Sequence, residues 1–373
     1  MKKLIVFLLV MVMAVGVFAG CASPAGESSA PAETKAAETK AAQTQAAEPA
    51  EGKEYNITYL TPSTASQFWT YVGVGITNAA KDLEEEHGIK VNLNVVGPQE
   101  EAQTEEYVTK FEEVIASQPD AIVTATLAID ATVPKAMEAT EAKIVLNFVN
   151  CGLGAGDDGA NQDYYNQFYY CSNDTIGEMA GQAFLEACKK KGVEAGTIGV
   201  NMNVINEALN HRVDAFRDYI TKNAPSGIKL TEDTYYNDNV VETAQSNAEN
   251  EIATFDDLIG MYAGNNITGD GVCNAIEAAA SAGKIDTSKF VAVAVDSDDI
   301  EIAAMKNGYL DALIVQDAYD QGYKCMENAI LTLLNGSNPE SAKQVNCPPV
   351  IITADNMESK EMMDLLDPTR LEK

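Results

Sequence analysis

The chain has 373 residues and a formal net charge of −31 at pH 7. Residues 1–53 carry five Lys and five Glu, so all of this net charge belongs to residues 54–373. A body so acidic is not expected to bind nucleic acid or anionic lipid through bulk electrostatics. Its length exceeds one modest hydrophobic core, so we expect two lobes.

The first residues have the pattern of a secretory signal. Lys2 and Lys3 precede fourteen apolar residues, 4–17, which are too few to cross a bilayer as a helix because that needs about 20. A charged start, an apolar segment and small residues before a break are typical of a cleaved signal. We therefore predict a signal peptide over residues 1–20.

A lipid anchor and a tether are predicted to follow. Ala19-Gly20-Cys21 resembles the bacterial lipobox, in which the cysteine is lipidated and becomes the first mature residue. The alternative is an ordinary signal with an incidental cysteine. Residues 22–53 lack aromatic residues and contain the near repeat PAETK-AAETK-AAQTQ-AAEPA, so they cannot bury a core. The prediction for 21–53 is a lipidated Cys21 and a low-complexity tether.

The six cysteines after Cys21 show no metal-ligand spacing. Export permits disulfides, and a bond between Cys151 and Cys171 would close a loop of about twenty residues. Free thiols, kept in a reducing habitat, are the alternative. The sequence leaves both open.

From residue 54 onward, short apolar runs alternate with amphipathic stretches, which is typical of βα units around a parallel sheet. The predicted strands are 55–60, 90–96, 121–124, 143–147, 168–171, 197–201, 229–235, 258–263, 291–295 and 312–316. A glycine-rich, polar stretch at 152–167 interrupts the rhythm, and a second lobe is expected to begin near Asn173. The first helix is the clearest, with a stop at Gly88 and apolar residues at helical spacing: Trp69, Val72, Ile76, Ala79, Ala80 and Leu83.

No motif for catalysis or metal binding is present. The only histidines, His87 and His211, have no companion nucleophile, and the chain lacks G-x-S-x-G, Walker and H-E-x-x-H patterns. The acidic run 296–301 has the composition of a hard-cation site, but it follows a predicted strand and begins a helix, so capping explains it. We predict no enzyme activity, no metal and no cofactor.

Polar side chains recur where predicted strands end. In open α/β sheets, ligands bind at the carboxyl ends of the strands, and amides with carboxylates supply the donors and acceptors that hydroxyls require. A turn or a helix cap is the alternative for each residue alone. Together they predict a polar, uncharged ligand, and they are Asn147, Asn201, Asn265, Asn266, Asp296 and Gln316.

Residues 55–352 resemble the type I periplasmic binding proteins of the ribose-binding cluster, the receptors of ABC importers for sugars. The segments that carry the resemblance are Ser66-Gln67-Phe68-Trp69, Gln118-Pro119-Asp120-Ala121, Ser172-Asn173-Asp174, Val295-Asp296, and Gln316 before Asp320-Gln321-Gly322. The resemblance implies an α/β fold with two doubly wound, Rossmann-like lobes. Three crossovers, near 172–174, 316–317 and 347–349, would join them.

On this resemblance we expect the N-terminal lobe to comprise 54–172 plus 317–347. The C-terminal lobe would comprise 173–316 plus 348–373. The ligand would lie between the two lobes, and the protein would act as a monomer.

The resemblance also implies ligand contacts. Phe68 and Trp69, preceded by Ser66 and Gln67, would stack on the apolar faces of a sugar ring. Because neighbouring helix residues cannot share one face, at least one of the two rings should point into the cleft. Asn265, Asp296 and Gln316 would bond hydroxyls from the second lobe, and Asn147 lies where the first lobe usually offers aspartate.

Two departures from the family pattern change the expected ligand. Phe148 and Asn210 lie where the family commonly has arginines. Charged hydrogen bonds contribute about 1.5–3 kcal/mol against about 1 kcal/mol for neutral ones, so an ordinary aldopentose or hexose is expected to bind less tightly. The position of Arg212 in the helical pattern predicts the helix exterior, and the alternative is that its side chain turns into the pocket.

The resemblance implies a lipid-anchored solute receptor that docks on an ABC permease in the membrane and faces the extracytoplasmic side. The alternative is a sensory module for a sugar or furanoid signal that presents the same lobes to a membrane kinase. A third class, the effector domain of a repressor, is disfavoured because an export signal is present and no N-terminal helix-turn-helix is.

Overall fold

Two sheets, each covered by helices, organise the chain. The computed structural model describes residues 52–126, 128–154, 159–204 and 207–373, which belong to one unit spanning residues 47–373. The predicted signal peptide, Cys21 and nearly all of the predicted tether lie outside the described residues.

The first sheet has six parallel strands, which are β1 (Glu54–Leu60), β2 (Lys90–Val96), β3 (Ala121–Thr124), β4 (Val145–Val149), β5 (Gln167–Tyr170) and β12 (Gln344–Asn346). Their order across the sheet is β12-β5-β4-β3-β1-β2. Neighbouring strands that run parallel must be joined by crossover connections, and helices supply these connections here.

The second sheet contains β6 (Ala195–Met202), β7 (Gly227–Leu230), β8 (Tyr235–Tyr236), β9 (Leu258–Ala263), β10 (Val291–Val295), β11 (Ala312–Val315) and β13 (Val350–Thr353). The order is β13-β11-β10-β9-β6-β7, with β8 beside β6 and β13 antiparallel to β11. All five residues of β10 are buried, as expected for a strand covered on both faces.

The helices are α1 (Gln67–His87), α2 (Thr104–Ala116), α3 (Ile129–Glu141), α4 (Asn173–Lys191), α5 (Glu207–Asn223), α6 (Val241–Thr254), α7 (Asn266–Ser281), α8 (Asp299–Lys306), α9 (Ala318–Asn335) and α10 (Lys360–Leu366). Short 3₁₀ turns occupy Gln162–Tyr164 and Pro368–Leu371. Within the described residues, no helix combines the length and the apolar character that a membrane span requires.

The chain passes between the sheets three times. It leaves the first sheet after β5 and enters the second through α4, returns after β11 through α9, and crosses again between β12 and β13. The predicted α/β class with two doubly wound lobes is therefore confirmed.

Several strands end at residues other than those predicted from the sequence. β4 ends at Val149 and β6 at Met202, whereas the sequence predicted ends at 147 and 201. The single strand predicted at 229–235 is wrong, because β7 and β8 are separate short strands. The first helix and its stop are confirmed, since α1 ends at His87 and Gly88 has a φ of 62°.

Helices α1 and α9 cross with their backbones in close contact. A Cβ at Gly75 would lie 2.1 Å from the Tyr319 carbonyl oxygen, and one at Gly322 would lie 2.2 Å from that of Val72. Glycine is needed at both positions because any side chain would displace the opposite backbone. This contact fixes α9, which follows the second crossover, against α1.

The last residues of the chain connect the lobes once more. α10 packs into the core of the second lobe through Leu366, whereas the following segment lies on α1. The fully buried Asn78 donates through Nδ2 to the Leu371 carbonyl oxygen at 2.7 Å, and Lys373 forms an ion pair with Asp82. The segment 367–373 therefore joins the second lobe to the first helix.

We expect Gly75→Ala to lower the free energy of unfolding by about 1–3 kcal/mol, because its methyl group overpacks the helix crossing. Gly73→Ala is the matched control in the same helix. Its Cβ would meet only Tyr59 Cε1, at 3.5 Å, so it should be neutral or stabilise by about 0.5–1 kcal/mol. Urea unfolding followed by circular dichroism measures both. Equal effects of the two changes would contradict the close crossing.

Candidate functional site

A cavity of about 280 Å³ lies between the lobes, which we call the interlobe cavity. Residues that follow strands of both sheets line it, as expected for the carboxyl edge of α/β sheets. The first lobe contributes the polar side chains of Glu101, Thr104, Thr126 and Asn150. The second contributes those of Asn173, Asn203, Arg212, Asn239, Asn265, Asn266, Asp296 and Gln316.

Six residues predicted from the sequence line this cavity. They come from the first helix and from the ends of three strands of the second sheet, so sequence positions far apart meet at one place. They are Phe68, Trp69, Asn265, Asn266, Asp296 and Gln316.

Both aromatic rings, rather than one, line the cavity. The Phe68 and Trp69 rings meet edge to face, with centroids 5.0 Å apart and an interplanar angle of 87°. The same rings also pack into the core of the first lobe. Trp69 Nε1 donates to Glu101 Oε1 at 2.6 Å, which fixes the indole. Burial raises the pKa of Glu101, although the bond from Trp69 opposes this.

A series of side-chain hydrogen bonds joins the first lobe to the second at the second crossover. Asn150 Nδ2 donates to Gln316 Oε1 at 2.9 Å, and Gln316 Nε2 donates to Asp296 Oδ1 at 2.7 Å. Asn150 and Asp296 both have positive φ, 63° and 77°. Such conformations are uncommon outside glycine but tolerated by Asn and Asp, and they turn the chain away from the strand end.

Asp296 is buried, and burial raises the pKa of its carboxyl group, whereas the positive charge of Arg212 and the bond from Gln316 lower it. The neighbouring Asp298 accepts from the backbone N–H groups of Ile300 and Glu301, so it caps α8. The predicted capping explanation of the run 296–301 is confirmed for Asp298. Among the described residues, no group of three His, Cys, Asp or Glu side chains is arranged to hold a metal ion.

Asn147 and Phe148 do not line the interlobe cavity, so the contacts expected for them are wrong. Asn147 is fully buried and donates to the Cys325 carbonyl oxygen and to Asn328 Oδ1. Phe148 packs in the core against Tyr165. Both residues lie within β4, whose side chains are covered by helices on either side, and the cavity residue is Asn150, just after the strand.

The same displacement occurs at β6. Asn201 lies within the strand and donates to Glu251 Oε2 at 2.7 Å, away from the cavity, whereas Asn203, just after the strand, lines it. Burial raises the pKa of Glu251 to about 7, although the bond from Asn201 opposes the increase.

Three further predicted residues do not line the interlobe cavity. Ser66 and Gln67 line an adjoining cavity of about 340 Å³. Asn210, on α5, does not line the interlobe cavity, whereas Leu209 and Arg212 of the same helix do.

The predicted exterior position of Arg212 is wrong. Its side chain is only 4% exposed, and its guanidinium donates to Asn173 Oδ1 at 2.9 Å and to the Gly264 carbonyl oxygen at 2.7 Å. Tertiary packing of α5 against α4 encloses it. A charged donor therefore lies in the cavity after all. The lower affinity for an ordinary sugar was expected because arginines are missing at Phe148 and Asn210, and Arg212 removes the basis for that expectation.

No disulfide joins Cys151 to Cys171, although both line the cavity. Burial raises the pKa of the Cys151 thiol to about 12, so the thiol carries its proton near neutral pH.

Sequence reasoning missed Glu101, Thr126, Asn150, Asn203 and Asn239. Asn150, Asn203 and Asn239 follow strands whose ends the sequence misplaced, whereas Glu101 and Thr126 follow β2 and β3, whose ends it placed correctly. Asn239 follows Asp238 after a short strand, and an Asp-Asn pair marks a turn with positive φ, which was the available signal. For Glu101, nothing in the local sequence indicates that its carboxyl group meets a tryptophan.

Residues 57–337, well over half of the chain, match the family described as periplasmic binding protein domain. The chain belongs to the periplasmic binding protein family. No curated protein sequence matches this periplasmic binding protein.

Solved structures of this fold cover nearly all of the described chain. An ABC transporter solute binding protein from Agrobacterium vitis with bound D-fucose is 27% identical, with a TM-score of 0.70, and the match covers 83% of this binding protein and 99% of the other. A carbohydrate transporter solute binding protein from Agrobacterium radiobacter in complex with D-arabinose is 24% identical, with a TM-score of 0.71 and coverages of 84% and 99%. At 24% identity, the structure with D-arabinose supports the fold alone.

We expect the binding protein to become less stable as pH rises from 5 to 8. The pKa of Glu251 is about 7 in the folded chain and 4.5 ordinarily, so the stabilisation is complete below pH 4.5 and lost as pH rises through about 7. The difference amounts to about 3 kcal/mol at most.

Glu251→Gln keeps an acceptor for Asn201 and should make this pH dependence less steep in urea unfolding. Glu249→Gln, at an exposed position of the same helix, serves as the control. A pH profile unchanged by Glu251→Gln would contradict the assignment.

Proposed function

We propose that this protein captures a small, uncharged, sugar-like ligand between its lobes and delivers it to an ABC importer. In this proposal the extracytoplasmic binding protein is held at the membrane by a lipid on Cys21. The lobes are 54–172 plus 317–347 and 173–316 plus 348–373.

The observation that carries the proposal is hydrogen-bonding capacity left unused in the cavity. Asn203 Oδ1 and Thr126 Oγ1 are buried and have no partner among the described residues, and both side chains line the interlobe cavity. Buried polar groups normally have partners. Ligand hydroxyl groups would satisfy an acceptor on each lobe at once.

The walls of the cavity fit a sugar ring. Phe68 and Trp69 present apolar surface, which would cover the carbon face of the ring, while amides and Asp296 meet its hydroxyls. The volume of about 280 Å³ is just below the range of about 300–1,000 Å³ typical for drug-sized ligands. That size favours a single ring.

The charges support an uncharged ligand. Arg212 is the one cationic side chain among the described residues that line the cavity, and Glu101 and Asp296 lie with it. An acidic ligand would be repelled by the two carboxyl groups, and a basic ligand would be repelled by the guanidinium group. The neighbour with bound D-fucose supports the same ligand class.

Titration calorimetry of the purified protein tests the proposal with D-fucose, D-arabinose, D-tagatose, D-galactose, polyols and nucleosides. We expect saturable heat with at least one neutral sugar and recovery of that sugar unchanged. Absence of heat with every compound would contradict it, and turnover of the bound sugar would favour an enzyme.

For the sugar that binds, Phe68→Ala or Trp69→Ala should weaken affinity at least tenfold. Covering about 100 Å² of apolar surface contributes about 2.5 kcal/mol. Val95→Ala, at an exposed position on β2, is the control. Unchanged affinity in both ring variants would contradict the stacking role.

Cys21→Ser should abolish incorporation of labelled fatty acid and release the protein from the membrane fraction. Cys151→Ser, whose thiol lies in the folded body, should leave both unchanged. Membrane retention of Cys21→Ser would contradict lipid anchoring.

A further inference from the structure

A second set of side-chain hydrogen bonds crosses between the lobes away from the crossovers. Asn203 Nδ2 donates to Asn239 Oδ1 at 2.9 Å, and Asn239 Nδ2 donates to Glu101 Oε2 at 3.4 Å. The other oxygen of Glu101 accepts from Trp69 Nε1 at 2.6 Å. We call this set, from Trp69 through Glu101 and Asn239 to Asn203, the cross-lobe bridge.

The bridge joins two loops that the chain does not otherwise hold together. Glu101 lies between β2 and α2 of the first lobe, and Asn239 lies between β8 and α6 of the second. Gln316 lies on a crossover, so a rotation of one lobe relative to the other about the crossovers would leave it near Asn150 and Asp296. The same rotation must separate Glu101 from Asn239, because each moves with its own lobe.

The loop that carries Asn239 is held rigidly. The backbone N–H groups of Asn237 and Asp238 both donate to the Asn203 carbonyl oxygen, at 3.2 and 2.7 Å. The Asn237 side chain donates to the Met202 carbonyl oxygen and to Thr268 Oγ1. Asn239 is therefore positioned before the lobes meet, and little ordering entropy is lost when the bridge forms.

Both ends of the bridge line the interlobe cavity. Trp69 forms part of its apolar wall, and the buried Asn203 Oδ1, which has no partner among the described residues, would accept from a ligand hydroxyl. A hydroxyl that donates to Asn203 Oδ1 would polarise the amide whose Nδ2 donates to Asn239, and such series strengthen one another.

We propose that Asn239 and Glu101 are positioning residues that close the lobes over the ligand and set its release rate. They act through Trp69 and Asn203, because the bond from Asn239 to Glu101 forms only while the lobes are together. The effect on release rests on the proposed function, whereas the effect on the lobes and on Trp69 does not.

The backbone determines which variant tests this. Asn239 and Asp238 have φ values of 59° and 54°, where alanine would be strained, so a loss in Asn239→Ala would be ambiguous. Asn239→Gly removes the side chain without strain. Asp238→Gly is the matched control, because it has the same φ sign and an exposed side chain that takes no part in the bridge.

Trp69 is the only tryptophan, so its fluorescence reports the bridge directly in the full chain without any sugar. We expect Asn239→Gly to shift the emission to longer wavelength and to raise the acrylamide quenching constant about twofold, because an open cleft exposes the indole. Glu101→Gln should give an intermediate effect, since an amide oxygen still accepts one bond. Asp238→Gly should match the unmodified protein.

Stopped-flow release of whichever sugar binds supplies the second measurement. Loss of one hydrogen bond to a charged acceptor corresponds to about a tenfold faster release, and we expect this for Asn239→Gly with an unchanged association rate. Asp238→Gly should remain within about twofold.

The outcomes separate the two proposals. If no sugar binds the unmodified protein, the proposed function fails, and the fluorescence of Asn239→Gly still decides on the bridge. If sugar binds and Asn239→Gly matches Asp238→Gly in quenching and release, the bridge has no role in closure. Equal changes in Asn239→Gly and Asp238→Gly would also overturn it, because the effect would then belong to the loop backbone.

Discussion

The hydrogen bonds from Asn150 to Gln316 and from Gln316 to Asp296 hold the site together. They span the second crossover, so the end of β4 in one lobe is connected to the end of β10 in the other through the residue that follows β11. Because the carboxyl ends of both sheets meet there, every loop that leaves those ends delivers side chains to one cavity. A ligand that binds between the lobes therefore encounters groups from both sheets.

Movement of the lobes is constrained at several separate places. The three crossovers are covalent, the segment 367–373 runs from the second lobe onto α1, and the cross-lobe bridge joins loops of opposite lobes. The contacts of the segment with α1 and those of the bridge are non-covalent, so they are able to form and break. α1 also carries Phe68 and Trp69 in its first turn. The two aromatic rings of the cavity therefore lie on the same helix that segment 367–373 contacts.

In the second lobe, Asp298 and Glu301 are buried, and neither lines the interlobe cavity. Burial raises the pKa of Asp270 to about 9, with Asp298 contributing, and raises that of Glu301 well above its ordinary value. Both carboxyl oxygens of Glu301 lack a partner among the described residues. Raised pKa values of buried carboxyl groups favour a lower pH for greatest stability.

The sequence by itself determined the α/β class, the two lobes, α1 with its stop at Gly88, and the placement of Phe68, Trp69, Asp296 and Gln316 at the cavity. Helical periodicity and apolar runs suffice for the class, the lobes and α1, since they record which face is buried. The cavity positions of Phe68 and Trp69 rested on the family resemblance, and those of Asp296 and Gln316 on the strand ends and the resemblance together. Tertiary structure alone decided that β4 and β6 continue for one or two residues more, which selects Asn150 over Asn147 and Asn203 over Asn201. It also enclosed Arg212 and brought Glu101 to Trp69. Strand ends and helix faces depend on what packs against them, and those neighbours lie far away in the chain.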